Sequence, residues 1–330
     1  MLKEPLVTCA FSTYNASKTI EFALESAFNQ TYKNKEYLII DDCSNDNTLE
    51  IIKAINTEKN NIIHIVKNVK NRGIGLVRNQ LIKKSNGVFI AFFDHDDFSH
   101  PDRIKQQIQS IQSFEIKNKA QSKNSPLCYT SRKIIFSPNK FLICKSISFD
   151  ATKYSNTDGA LALLSAKKMP KFNQPGSTAT CTLCARKKSL EFIGGFNNEL
   201  RRYEDLDLAI KALLKKTSLI SLEEILVDQY FKKEKYKKNS EIYELRMIKF
   251  HKKFLEEKNL FDFAYNFAKT RYYFLNFKLF YFFKYFLYLL FKYPINLVTK
   301  FISSFKTLSF SILNKFYSNL KNKSRSKFIK

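Results

Sequence analysis

The chain has 330 residues, 56 Lys and Arg against 30 Asp and Glu, a formal net charge of +26 and a hydrophobic fraction of 44%. That is long enough for one large domain or two smaller ones with real cores, and too apolar for a disordered chain. Six cysteines in a chain of this length exclude a disulfide framework, and a lone Cys181-Thr-Leu-Cys184 pair, lacking a second such pair, excludes a four-thiolate zinc site. The positive charge is uneven: no acidic residue follows Asp262, whereas 13 Lys or Arg do. A basic tail implies an anionic partner, either nucleic acid or an anionic membrane surface. The opening "MLKEPLVTCAFSTYN" has no basic region followed by an apolar core, so no signal peptide is expected and the compartment reads as cytoplasm.

In chain order, "LVTCAFS" (6–12) reads as a buried strand, and "TIEFALESAFNQTY" (19–32) places Ile20, Ala23, Leu24, Ala27 and Phe28 at helical spacing. A strand at 36–44 ending in Asp41 and Asp42, a helix at 47–55, a strand at 62–68, a helix at 75–85 and a strand at 87–94 follow. This alternation with short connections predicts βαβ units and a mostly parallel, Rossmann-like α/β sheet flanked by helices. Further strands are expected at 127–136 and 177–187. A Gly-rich turn leads into a helix within 194–216, and a basic helix is expected over 230–259. The two cysteines of the CxxC read as small apolar residues on the 177–187 strand.

In such sheets ligands sit beyond the carboxyl ends of the strands. Three polar clusters fall there: Ser12 to Asn15, Asp41 with Asp42, and Asp94 to Asp97. Asp94-His95-Asp96 is an aspartate-x-aspartate whose two carboxylates can reach one hard divalent cation, Mn²⁺ or Mg²⁺, bridging to phosphate oxygens. His95, between them on an extended segment, should point away. The plainer alternative is an Asp-rich turn capping the helix that starts near Pro101-Asp102, a part that suits Asp97. Asp42 or its neighbour could accept hydrogen bonds from a base or ribose. "STYNAS" after the first strand contains no glycine, which argues against a nicotinamide dehydrogenase, and no GxxxxGK[ST] loop is present for a phosphate-loop ATPase. Glu204 and Asp205 lie near a helix start, where the dipole favours acids in any protein.

Three blocks carry a resemblance. "FSTYNASKTIEFALESAFNQTYKNKEYLIIDDCSNDNT", "NRGIGLVRNQLIKKSNGVFIAFFDHDD" and "IGGFNNELRRYEDLDLAIKAL" occur in the order found in the family 2 glycosyltransferases, which have the GT-A fold. The likeness covers roughly residues 5–230. It implies that Ser12 and Tyr14 border the nucleoside, Asp42 contacts the base, and Arg78 lies near the nucleotide. It also implies that Asp94 holds ribose or metal, Asp96 holds metal, and Asp205 of the Glu204–Asp205 pair is the catalytic base. Ser12 stands where that family usually has proline, and Val77 where it has alanine. The chain has no Trp, so the Gln-x-x-Arg-Trp element of the processive polymerases is absent, which favours transfer of one sugar by a bacterial, non-processive type. The resemblance thus implies an inverting enzyme that takes a UDP-hexose or UDP-N-acetylhexosamine with Mn²⁺ or Mg²⁺. Its acceptor would be a glycan, lipid-linked or part of a lipooligosaccharide or surface polysaccharide.

Residues 1–230 are then expected to form the GT-A domain and 231–330 a helical, basic and aromatic extension. Over 271–293, Lys278, Lys284 and Lys292 interrupt the apolar run, so an in-plane helix on the inner membrane, broken at Pro294, is favoured over a span. On a single helix Arg271, Lys278 and Lys292 would fall within about 60° of one another, with Lys284 outside that arc. Two rival readings are weaker. A nucleic-acid binder would use the basic aromatic tail, but the acidic rim opposes it. A sugar-nucleotide pyrophosphorylase would need a Gly-rich phosphate loop in place of "STYNAS".

Overall fold

The computed structural model describes residues 4–300 apart from 61, 152–153, 165–175, 232–239 and 299. The last part of the expected basic extension, from 301 on, lies outside the described residues. The chain divides into two compact units, residues 1–160 with 174–243 and residues 161–173 with 244–330.

The first unit begins β1 (Val7–Thr13), α1 (Ile20–Phe28), β2 (Lys35–Asp41), α2 (Thr48–Glu58), β3 (Ile63–Lys67), α3 (Ile74–Lys84) and β4 (Phe89–Asp94). These are the expected elements, their ends moved by a few residues. All seven residues of β1 are buried, as a central strand covered on both faces requires. β1 pairs in parallel with β2 on one side and β4 on the other, and β2 pairs in parallel with β3. Apolar residues of α1, Ile20, Ala23, Leu24 and Ala27, pack with Phe11, Ile39, Phe89 and Phe93 of the sheet in one core cluster.

Beyond β4 the sheet changes character. β5 (Asp97–Ser99), α4 (Arg103–Asn118), β6 (Leu127–Ser137), β7 (Lys140–Cys144), α5 (Asn156–Leu163), β8 (Leu183–Arg186), α6 (Lys187–Ile193), α7 (Glu204–Leu214) and β9 (Leu219–Tyr230) follow. Among the described residues the strand order is β3-β2-β1-β4-β8-β6-β9-β5, with β7 paired to β6. β4–β8 and β6–β8 are antiparallel, and β6–β9 is parallel. The seam between the two halves is held by polar side chains of α4. Arg103, fully buried, donates to Phe92 O and Ser99 Oγ, each at 2.7 Å. Gln107 Nε2 donates to Cys128 O and Thr182 O, each at 2.9 Å. These bonds tie α4 to β4, β6 and the turn before β8 through buried backbone carbonyls.

Several expectations change here. Asp97 does not cap α4: it starts β5, and Asp102 is the residue before the helix. The 177–187 strand is shorter, β8 preceded by a 3-10 turn over Thr180–Thr182, so Cys184 is on the strand and Cys181 in the turn. The basic helix expected from 230 is entered by β9, whose last residue is Tyr230, and the described helices there are α8 (Ser240–Phe250) and α9 (Lys252–Glu257).

The second unit contains α9, α10 (Phe261–Leu275) and α11 (Leu279–Lys292). The 271–293 segment is not one cylinder. Phe277, at φ 56, breaks it in the left-handed region, so Arg271 lies on α10 and the expected stripe of Arg271, Lys278 and Lys292 does not form on a single helix. Phe263, Phe267, Leu289 and Leu297 make a small core. Asp262 accepts from Tyr288 Oη at 2.6 Å, Tyr293 Oη at 2.9 Å and Lys292 Nζ at 3.2 Å, which fastens α11 and its end to the start of α10. No helix among the described residues is long and apolar enough to cross a membrane.

Candidate active site at the strand ends

The carboxyl ends of β1, β2 and β4 form a rim. Ser12 is the register partner of Asp94 across the β1–β4 ladder, and Thr13 that of Asp41 across β1–β2. Tyr14, just past β1, is half exposed at the same edge. The two aspartates after β2 divide their work. Asp41 accepts from Thr13 Oγ1 at 3.0 Å and from Ser44 N at 2.9 Å, which closes the turn after β2. Asp42 accepts from Asn68 Nδ2 at 2.9 Å and from the backbone N–H groups of Arg72 and Gly73, both at 2.8 Å. Its carboxylate therefore holds the 68–73 loop beside the rim.

The "RN" of α3 reaches across to the segment carrying the second acidic pair. Asn79 Nδ2 donates to Phe196 O at 2.8 Å and Asn198 Oδ1 at 2.7 Å, while its Oδ1 accepts from Phe196 N at 2.8 Å. Gly195, at φ +63, presents only hydrogens toward Asn79; a Cβ there would stand 2.3 Å from Asn79 Oδ1. The loop is thereby fixed and α7 starts in a defined place. Tyr203, at φ 66, sits in left-handed backbone immediately before it, a conformation costly for a bulky residue and frequent at functional sites.

Arg78 joins the two acidic groups. Its Nη1 donates to Glu204 Oε1 at 2.7 Å and its Nη2 to Asp94 Oδ1 at 3.3 Å. Burial of Glu204 raises its carboxyl from 4.5 to about 7, with Arg78 acting against the rise and Asp205 adding to it. Asp205 is raised for the same first reason, and Arg78 again opposes. Asp205 accepts from Leu206 N at 2.7 Å and borders, with Arg201, Arg202, Tyr203 and Glu204, a cavity of about 380 Å³. A carboxylate held against its preference for protonation, at the edge of a cavity, is suited to accept a proton.

Of the aspartate-rich turn, the donor atoms of Asp94 and Asp97 come within 4.8 Å of one another together with Cys181 Sγ. Asp96 is buried in the same turn and is not part of that group. Gln229 Nε2 on β9 donates to Asp97 Oδ2 at 3.2 Å. The His95 ring lies against α1, with Nδ1 3.2 Å from Thr19 Oγ1. The two carboxylates are the hard oxygen ligands that Mn²⁺ or Mg²⁺ takes, whereas the neutral, buried thiol of Cys181 is not a ligand such ions favour. Cys181 as a neighbour of Asp94 escapes sequence reasoning, because the 180–182 turn brings it there from far along the chain, whereas Asp97 belongs to the expected acidic cluster but reads by spacing as a helix cap. Tyr129 is a further residue of this kind: it is fully buried on β6, its hydroxyl has no hydrogen-bond partner among the described residues, and burial, with the charge of Asp205 second, pushes its phenol up.

Comparison with known proteins bears on the fold. Residues 8–116 match the family model "Glycosyl transferase family 2". The Escherichia coli protein UDP-Glc:alpha-D-GlcNAc-diphosphoundecaprenol beta-1,3-glucosyltransferase WfaP is 38% identical over 111 residues, which cover 34% of this chain and 43% of that protein. The match thus spans less than half the length of that relative. S. aureus TarS 1-349 in complex with UDP superposes with a TM-score of 0.53 at 19% identity, over 82% of this chain and 72% of that one. The Pyrobaculum calidifontis mannosyltransferase PcManGT in complex with GDP-Man and Mn²⁺ gives 0.51 at 16% identity, over 81% and 72%. Residues 8–116 are thus similar to glycosyl transferase family 2, and the sheet and helices have the GT-A fold.

Proposed function

We propose that the chain is an inverting glycosyltransferase. It moves one sugar from a nucleotide sugar, a UDP-hexose or UDP-N-acetylhexosamine, to a hydroxyl of a glycan acceptor. The observation that carries this reading is the Arg78 bridge, which places the acids after β4 and the acids of α7 in one charged network beside a cavity. Asp205 takes the proton of the acceptor hydroxyl as its oxygen attacks the anomeric carbon, and the nucleoside diphosphate leaves from the other face, so the centre inverts. Glu204 keeps Arg78 in place. Ser12, Tyr14 and Asp42 line the side of the rim where the nucleoside would lie.

Asp94 would hold a divalent ion, with Asp96 the second carboxylate expected from spacing and Asp97 and Cys181 the neighbours that the fold supplies. Bound there, a Mn²⁺ or Mg²⁺ ion would neutralise charge on the departing diphosphate. UDP in TarS and GDP-Man with Mn²⁺ in PcManGT support a nucleotide with a metal at this fold's rim. The name of the E. coli relative, a diphosphoundecaprenol-directed enzyme, supports a lipid-linked acceptor.

For the second unit the reading is peripheral attachment to the anionic cytoplasmic face of the inner membrane. On α11, Phe280 (77% exposed), Phe283, Lys284, Leu287 and Phe291 (83% exposed) fall within an arc of about 100°, opposite the buried Leu289. An outward aromatic face carrying Lys284, in a segment with no acid after Asp262, suits anionic lipid.

The test is a panel of UDP-, GDP- and dTDP-sugars incubated with Mn²⁺, Mg²⁺ or EDTA, read by release of nucleoside diphosphate. Metal-dependent release from one donor is expected. A chain that binds and hydrolyses none of them, with acceptor lipids present, is not a glycosyltransferase.

A further inference from the structure

Three arginines of the first unit, Arg78 and Arg103 buried and Arg186 partly so, spend their guanidinium groups on protein acceptors: Arg78 on Glu204 and Asp94, Arg103 on carbonyls and Ser99, and Arg186 on Glu115. Arg132 differs. Its Nε is buried and has no hydrogen-bond partner among the described residues. A buried donor on a cation left without an acceptor is costly, and native structures retain it where a ligand completes it.

Its place in the sheet says what that ligand meets. Arg132 on β6 is in register with Val227 on β9. Cross-strand partners share a face, and Val227 packs against Cys181 and Ala179. Two residues along β9, on the same face, Gln229 donates to Asp97. Arg132 thus stands on the face of the sheet that carries the Asp94–Asp97–Cys181 group. Burial opposes its charge and the carboxylates of Asp205 and Asp97 favour it; a guanidinium stays protonated in either case.

We propose that Arg132 is an anion-binding residue of the donor site, taking the diphosphate of the nucleotide sugar. This rests on the reading of the rim as a nucleotide-sugar site and adds to it a specific cation. A guanidinium is suited to the task because its donors form a planar fork that matches phosphate oxygens and its charge does not titrate. When the glycosidic bond breaks, the diphosphate gains negative charge, and a fixed cation beside it stabilises that form more than the bound donor.

The experiment is equilibrium titration of the full chain with UDP and GDP, using UMP and GMP as one-phosphate controls, for the wild type, Arg132→Gln and Arg132→Lys. Thermal unfolding is followed in parallel. Arg132→Gln is expected to weaken the preferred diphosphate by about 10- to 100-fold, the range of a lost charge-assisted hydrogen bond. The monophosphate should weaken less, the unfolding midpoint should hold, and Arg132→Lys should recover part of the loss. Equal binding of the diphosphate by wild type and Arg132→Gln overturns the proposal. So does an equal loss for mono- and diphosphate with a lowered midpoint, which marks a structural role. Should the wild type bind neither UDP nor GDP, the nucleotide-sugar reading falls and this inference with it. A wild type that binds and turns over a donor while Arg132→Gln matches it removes the inference alone.

Discussion

The rim of the sheet and the aromatic helices α10 and α11 solve opposite problems. In the first unit several charged groups are buried and held by named partners: Asp42 by three donors, Arg78 by two carboxylates, Arg103 by carbonyls. On α11 the large apolar side chains are on the outside, with Phe280 and Phe291 among the most exposed. The contrast teaches that burial and hydrophobicity are uncoupled in this chain. Polar groups are taken inside where geometry has a use for charge, and apolar groups are left outside where a lipid surface would complete them.

The comparison can be broken most forcefully at α7. Asp205→Asn keeps the shape and removes the proton acceptor, so turnover should fall by about 10³-fold with nucleotide affinity unchanged. A smaller loss would move the role to Glu204. Next comes Arg78→Met, which leaves Glu204 and Asp94 without their shared cation. Because Arg78 and Glu204 are buried, the variant should lose about 3 kcal/mol of stability by chemical denaturation, and an unchanged unfolding midpoint would mean that the bridge is incidental.

A third test reads the pH profile. With Asp205 raised by burial and Glu204 beside it raised to about 7, the acids of α7 ionise late, so turnover should climb as pH rises above the ordinary range of an aspartate and then level off. The stability linkage runs the other way. A raised carboxyl contributes stability that is fully present below its ordinary value of 4.5 and is lost as pH rises through about 7. The smallest effect on the folded chain belongs to α11. Phe280→Ser with Phe291→Ser should leave the unfolding midpoint within about 1 °C, because both side chains are exposed, yet lower recovery on anionic vesicles several-fold. Unchanged vesicle recovery, or a change from dimer to monomer, would assign that face to another partner or to a second copy.

Much of the first hundred residues is legible in sequence because the signals are local. Continuous apolar runs give β1, β2 and β4, helical spacing gives α1 and α3, and the polar residues just past each strand fall on one edge by topology alone. What is not legible depends on pairing over long separations. β9 carries Glu223, Glu224 and Asp228 in a half-buried, unevenly patterned strand with register shifts against β6, so no period of two marks it. Asp97 reads as a helix cap by spacing; its contact with Gln229, 132 residues away, exists only because β5 pairs with β9. Cys181 reads as a strand filler until the 180–182 turn sets its thiol beside Asp94. The break at Phe277 has neither Gly nor Pro to announce it, so the helix drawn through 271–293 divides in two.

The most direct measurement of the central claim is a crystal of the chain grown or soaked with UDP and Mn²⁺. The account predicts an anomalous manganese peak against the Asp94 carboxylate, with the diphosphate beside it and the uracil toward Tyr14 and Asp42; which of Asp96, Asp97 and Cys181 completes the coordination would be read from the same map. Density for neither ion nor nucleotide at this rim, in crystals of a chain that binds UDP in solution, would place the donor elsewhere and contradict the account.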